Sequence, residues 1–185
     1  MKKRGSNLGV TIAVTALLLS LGLFIFTFQR ETEFLGNATE QGAGRVILDV
    51  PFVLQKEWYC SEASASMVLR YYGHDLSQDQ INEMGYDRFE NMLPLLAKYV
   101  NCKYAFLTME DLKREIDEGD PVIIRILPGS FLHTIVVVGY NNKYIYVHDP
   151  AVGPKIPVDP QALLFVWRFT KYAAIIFSPE QRGGK

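Results

Sequence analysis

The sequence is poor in cysteine, with two in 185 residues. Cys60 and Cys102 are too few for a disulfide-stapled scaffold, although a single bridge between them remains compatible with the count. The three histidines and two cysteines show no zinc-ligand spacing, so no structural metal is expected. Charge of one sign is also missing. Nineteen Lys and Arg residues nearly balance twenty Asp and Glu, and a net charge of −1 offers no basic surplus to nucleic acid. No internal repeat and no low-complexity tract occurs. What remains is globular in composition, 49% hydrophobic and 21% charged, with the length of one domain plus an appendage.

The appendage is N-terminal. Lys2, Lys3 and Arg4 precede a nearly unbroken apolar run over residues 8–28. About 20 apolar residues in a helix match the roughly 30 Å core of a bilayer. A cleaved signal peptide has a shorter apolar stretch and a small-residue cleavage site, and no A-x-A pattern follows Phe24, Phe26 and Phe28. The run therefore reads as an uncleaved transmembrane signal anchor, with a cleaved signal or a buried helix as alternatives. The early basic residues place a short cytoplasmic segment at residues 1–7 and everything after the anchor outside the cell membrane. Residues 29–45 are polar and glycine-containing and read as a linker. A domain is expected over residues 46–180, with a tail at 181–185.

Within the domain, residues 46–53 are strand-like, with Pro51 marking an edge or an end. Helical spacing begins at Cys60: Ala63, Met67, Val68 and Tyr71 share its face, and Gly73 supplies a stop. Ser77 and Gln80 have capping-box form and open a short helix that ends near Gly85. Another helix is expected over residues 93–100, with Pro94 in its first turn. A short strand at 103–107 and a helix from the cap Thr108 to Gly119 follow. Three strands come next, at 121–127, 133–140 and 144–149. Asp159 and Pro160 start a last helix through Trp167, and residues 172–177 form a final strand. Helices come first and strands later, which predicts an α+β domain with N-terminal helices packed on an antiparallel sheet.

Three residue types in this map carry chemistry together. Cys60 opens a helix, whose N-terminal partial charge and free N–H groups favour a thiolate and an oxyanion. His133 opens an apolar strand, His-Thr-Ile-Val-Val-Val-Gly-Tyr, where the core meets solvent. Asp149 closes the neighbouring strand. A two-residue turn at Asn141 and Asn142 would put Asp149 on the face opposite His133. A three-residue loop pairs Tyr140 with Tyr144 and sets Asp149 opposite Ile135, diagonal to His133 on one face. The alternation Ile145, Val147, Asp149 favours the second register and turns His148 away. His74 follows the far end of the first helix and reads as surface. Cys60, His133 and Asp149 thus supply nucleophile, base and orienter, and Gln55 adds an amide donor just before the nucleophile. Trp58 and Tyr59 are the candidate cleft walls. Cys102, between a helix and a strand, reads as a core residue.

The segment Val50-Pro51-Phe52-Val53-Leu54-Gln55, with Cys60 leading a helix that ends Val68-Leu69-Arg70-Tyr71-Tyr72-Gly73, resembles the opening of C39-like peptidases, a papain-like group. His133 to Gly139, then Tyr146-Val147-His148-Asp149-Pro150, resembles the second half of that signature. The resemblance implies a papain-like fold, with Gln55 as oxyanion glutamine, Cys60 as nucleophile, His133 as base and Asp149 as orienting acid. It implies a peptide or protein substrate and no cofactor. The best-known members are fused to ABC exporters. These 185 residues leave no room for an exporter's membrane helices or ATPase, so the expectation is a membrane-anchored stand-alone member, with a separate exporter left open. One departure stands out: the family usually has Cys-Gly-Pro where this chain has Cys60-Ser61-Glu62. Glu62 either raises the thiol pKa by its charge or points to solvent. Two other readings stay open. One is acyl transfer or amidase chemistry on the same scaffold. The other is a non-catalytic, anchored peptide-binding domain, which the Glu62 departure motivates.

Overall fold

The structure is a computed structural model and describes residues 44–178. The expected anchor at 8–28 and the tail at 181–185 lie outside these residues, as does most of the linker. Among the described residues no helix is long and apolar enough to cross a membrane.

Among the described residues seven strands form one antiparallel sheet: β1 (Val46–Ile47), β2 (Cys102–Phe106), β3 (Val122–Ile126), β4 (His133–Tyr140), β5 (Ile145–Asp149), β6 (Gly153–Val158) and β7 (Ala173–Phe177). Their spatial order is β2-β7-β3-β4-β5-β6, and β1 pairs with β4 at the end away from His133. The helices are α1 (Cys60–Tyr71), α2 (Gln78–Glu83), α3 (Phe89–Leu96), α4 (Met109–Asp117) and α5 (Pro160–Trp167). The α+β architecture on an antiparallel sheet is the expected one.

The layering is richer than the order of elements implied. Ile123, Val136, Val138, Ile175 and Phe177 pack with α1, α2 and α3 into one buried cluster. Ile124, Ile126, Ile135, Val137 and Ala174 pack with Leu112 and Ile116 of α4 and Leu163 and Trp167 of α5. The central strands are apolar at nearly every position because both of their faces are covered.

Local chemistry explains most boundaries. Ser77 accepts from Gln80 N at 3.3 Å while the Gln80 side chain accepts from Ser77 N at 2.9 Å, closing the expected capping box. Thr108 and Asp111 do the same for α4, and Asp159 caps α5 with Pro160 in first position. The third helix starts earlier than expected, at Phe89 rather than Leu93. Phe89, Met92, Leu95 and Leu96 are all buried, so the apolar period extends one turn upstream and Pro94 falls inside the helix. The first strand is shorter than expected, because only Val46 and Ile47 reach the sheet. They approach Gly139 so closely that a Cβ there would lie 2.4 Å from the Val46 carbonyl oxygen. The sequence pattern did not announce β6, which carries two prolines on the sheet edge.

The β4–β5 hairpin corrects the expected loop. Tyr140 faces Ile145 rather than Tyr144, so the loop has one more residue, and Asn141 Oδ1 organises it by accepting from Lys143 N at 2.8 Å and Tyr144 N at 2.6 Å. Carried straight on, that register would set Asp149 opposite Val136, on the wrong face. A β-bulge between Val137 and Gly139 shifts it by one, so that Val137 faces Val147 and Val136 faces His148. Beyond the bulge the register is the expected one, and Asp149 falls on the face of Ile135 and His133.

Candidate active site

The segment before α1 is fastened at several points. Gln55 N donates to the Pro150 carbonyl at 2.8 Å, joining this segment to the end of β5. The Gln78 side chain, at the start of α2, clamps the backbone on both sides of Gln55. It donates to Leu54 O at 3.0 Å and accepts from Lys56 N at 2.9 Å. Lys56 Nζ adds an ion pair to Asp79 at 2.7 Å. The chain then turns tightly, with Tyr59 N bonded to Lys56 O at 3.0 Å and Trp58 in the left-handed region at φ 67°. No side chain caps α1, so no cap takes up the backbone N–H groups of its first turn, which begins at Cys60.

Cys60, His133 and Asp149 meet here. His133 Nε2 lies 2.8 Å from Asp149 Oδ1, which leaves Nδ1 to serve the thiol of Cys60, and ring and thiol shift each other's ionisation. Asp149 Oδ1 also accepts from Ala151 N at 2.9 Å, which fixes the carboxylate. Burial pushes the thiol up, but hydrogen bonds to His133 and Thr134 and the charge of the ring outweigh it, so Cys60 sits below the ordinary thiol value. Burial pulls the other way on His133, yet its bonds to Asp149 and Cys60 raise it to about 9. Burial opposes ionisation of Asp149 too, but His133 and two backbone N–H groups hold it below the ordinary carboxylate value. The set can therefore hold an ion pair of thiolate and imidazolium with the carboxylate ionised behind it.

These residues line a cleft of about 660 Å³, together with Gln55, Trp58, Arg125 and the loop from Pro128 to Leu132. Trp58 and Phe131 are 70% and 69% exposed and touch edge to face, with ring centres 5.7 Å apart. Trp58 is thus a wall residue as expected, whereas Tyr59 does not line the cleft. The Gln55 side chain reaches the cleft with its Oε1 buried and without a hydrogen-bond partner.

The other candidates go elsewhere. His148 is fully buried, bridging Val50 O at 2.9 Å and Lys155 N at 2.9 Å, and burial holds its pKa below the ordinary value. Because Lys155 N must donate to Nδ1, Nε2 carries the proton to Val50 O, so this ring is a neutral strut. His74 is half-buried against Tyr99, at the opposite end of α1 from Cys60. Cys102 is a free, half-buried thiol on β2. Glu62 takes neither expected course. It is only 1% exposed, accepts from Asn82 Nδ2 at 2.8 Å, and burial pushes its own carboxyl up. Among the described residues no cluster of three or more His, Cys, Asp or Glu is placed to hold a metal ion.

Arg125, Thr134 and Gln78 are site residues that the motifs in the sequence did not mark. Arg125 was detectable as a lone charge in the apolar strand Val-Ile-Ile-Arg-Ile, where it needs a partner. Thr134 and Gln78 carried no such signal.

The sequence profile of the Peptidase C39 like family matches residues 47–175. A search of curated proteins found no match. Among solved structures, a C39-like peptidase from Bacillus anthracis superposes with a TM-score of 0.65 at 17% identity, over 74% of this chain and 98% of that one. A double glycine motif protease from an AMS/PCAT transporter, in complex with its leader peptide, gives 0.59 at 26% identity, over 75% and 96%. The peptidase domain of Streptococcus ComA, a bifunctional ABC transporter of a quorum-sensing pathway, gives 0.57 at 20% identity, over 69% and 97%. Profile and fold agree over nearly the whole described domain: the chain belongs to the Peptidase C39 like family.

Proposed function

We propose that the domain is a cysteine peptidase that cleaves peptides or small proteins. In this reading Cys60 attacks the scissile carbonyl as thiolate. His133 holds the thiol proton on Nδ1 and delivers it to the leaving amine. Asp149 keeps the ring oriented and its charge compensated. The Gln55 amide and the Cys60 backbone N–H face the developing oxyanion. Water then hydrolyses the thioester, with His133 as base. The observation that carries the reading is the arrangement of thiol, imidazole and carboxylate at one end of an open cleft, with the 2.8 Å contact between His133 and Asp149.

A peptide substrate is further supported by the transporter-derived relative, which is described in complex with a leader peptide. Glu62 was the reason to consider a disabled cleft, and its side chain is turned into the protein toward Asn82. Membrane anchoring through residues 8–28, with the domain on the outer face, is part of the proposal and rests on the apolar run and its basic flank.

The test is turnover by the purified full chain in detergent. A peptide library is incubated with wild type and Cys60→Ala, and products are read by mass spectrometry. Cleavage by wild type alone supports the peptidase. Transfer of the acyl group to an added amine in place of water would favour the acyltransferase reading. Peptide retained uncleaved by both proteins would favour a binding domain.

A further inference from the structure

Arg125 comes from β3, paired across the ladder with Thr134, the residue after His133. Its side chain is 12% exposed and lines the cleft. Nη1 donates to Thr134 Oγ1 at 2.8 Å and to Ser61 Oγ at 3.3 Å, and the two hydroxyls are 3.1 Å apart. A guanidinium only donates and keeps its charge at every working pH. Thr134 Oγ1 therefore accepts from Arg125. Either hydroxyl can donate across the 3.1 Å contact, and with Ser61 as its donor the Thr134 proton is free for a further acceptor. The Cys60 thiol is the group this proton serves: hydrogen bonding from Thr134, backbone and side chain, is among the causes that hold the thiol below its ordinary value. Ser64 Oγ, one turn along α1, donates to the Thr134 carbonyl at 3.2 Å and holds strand and helix in register.

We infer that Arg125 is a positioning residue for the thiolate: it locks the Thr134 hydroxyl as a donor to Cys60, so the sulfur is held from two sides. The inference rests on Cys60 being the nucleophile. It accounts for a buried cation in an otherwise apolar strand. The other charged groups around the sulfur do not take this role. Glu62 on α1 bonds to Asn82, Asp87 and Arg88 pair with each other at the rim, and Asp149 acts through His133. Glu90 on α3 approaches Arg125 Nε only to 3.8 Å and is 57% exposed, so solvent screens it. The Phe89 ring, 5.8 Å from the guanidinium carbon, covers the remaining side.

A merely structural Arg125 would lower reactivity equally at all pH. The proposed role moves only the acid side of the thiol titration, because His133 and Asp149 are untouched. The test is the rate of Cys60 alkylation by iodoacetamide from pH 4 to 10, read by mass spectrometry on the full chain, with Cys102 as the thiol that stays unlabelled over this range. Thermal unfolding confirms that each variant is folded. Arg125→Met and Thr134→Val should each raise the labelling midpoint by about one pH unit, so that roughly tenfold less thiolate is present below it. Arg125→Lys should recover part of the shift and Thr134→Ser most of it. Folded Thr134→Val with the wild-type midpoint overturns the inference while leaving Cys60 as nucleophile. The same holds if Arg125→Met slows labelling without moving the midpoint. If wild-type Cys60 already labels like an ordinary thiol, and His133→Ala changes nothing, the nucleophile reading fails and this inference falls with it.

Discussion

The two cysteines of this chain form a controlled experiment within one fold. Both are free and half-buried, and burial pushes both thiols up. At the start of α1 the push is overcome, because His133 and Thr134 present donors and a positive charge to the sulfur. On β2, beside the apolar cluster of α1 and α3, nothing opposes it, and Cys102 is raised to about 11. The same side chain is thus pushed toward nucleophile in one place and inert filler in the other. The difference lies in what the fold brings to the sulfur, not in exposure.

The largest effect expected on this contrast comes from His133→Ala. Without the ring Cys60 keeps its burial and loses its main donor, so its labelling should move toward that of Cys102. Turnover should fall by about 10²–10⁴-fold, the usual range for losing a positioned acid–base group. Alkylation rates of both cysteines, compared with wild type, measure this directly. An unchanged Cys60 rate would break the contrast. Asp149→Asn should cost less, with a loss roughly tenfold to a hundredfold smaller, because the ring remains and only its orientation and charge support weaken. Its signature is a fall in the alkaline pKa of the activity profile, since the carboxylate is the larger of the two groups that lift His133 to about 9.

Wild-type pH dependence sharpens the contrast further. The Cys60 pKa is lowered, so its thiolate persists below the ordinary thiol range and is lost as pH falls. The His133 imidazolium is lost as pH rises through about 9. Peptide turnover needs both and should be bell-shaped. Alkylation needs only the thiolate and should stay high above pH 9. Cys102 should begin to react only toward pH 11. Parallel turnover and alkylation curves on the alkaline side would show that His133 does not supply the proton.

Much of this was readable from residue order. Ser77, Thr108 and Asp159 announced their helices through side chains that replace missing backbone partners. The meeting of His133 with Asp149 followed from the period of two in Ile145, Val147 and Asp149. The expected face of Asp149 is the observed one, although the loop expected to place it is not. The hairpin has an extra residue in its turn and an extra one in β4, and the two cancel at the site. Alternation cannot reveal a bulge inside a strand buried on both faces, because Val136, Val137 and Val138 are apolar in any register. Gly139 marks the place only in retrospect, through the close crossing of β1. Long-range clamps were equally invisible. The side-chain amide of Gln78 grips a segment 24 and 22 residues upstream, and no local pattern encodes that.

That clamp gives the smallest effect, and one that separates the two halves of the site. Gln78→Ala removes both hydrogen bonds flanking Gln55 while leaving Cys60, His133 and Asp149 in place. The segment stays tied by Gln55 N to Pro150 O and by Lys56 to Asp79, so it loosens without leaving. In the proposed mechanism Gln55 is an oxyanion donor, so Gln55→Ala should cost about 10²–10³-fold in turnover. Loosening its support should cost only about tenfold, because a donor displaced by a fraction of an ångström still reaches the oxyanion part of the time. The alkylation midpoint of Cys60 should not move, since iodoacetamide develops no oxyanion and the thiol's own partners are intact. Reduced turnover with unchanged alkylation would place the Gln78 clamp on the oxyanion side. A shift in the Cys60 midpoint would show instead that the segment before α1 helps to set the thiol, and that the two halves of the cleft are coupled.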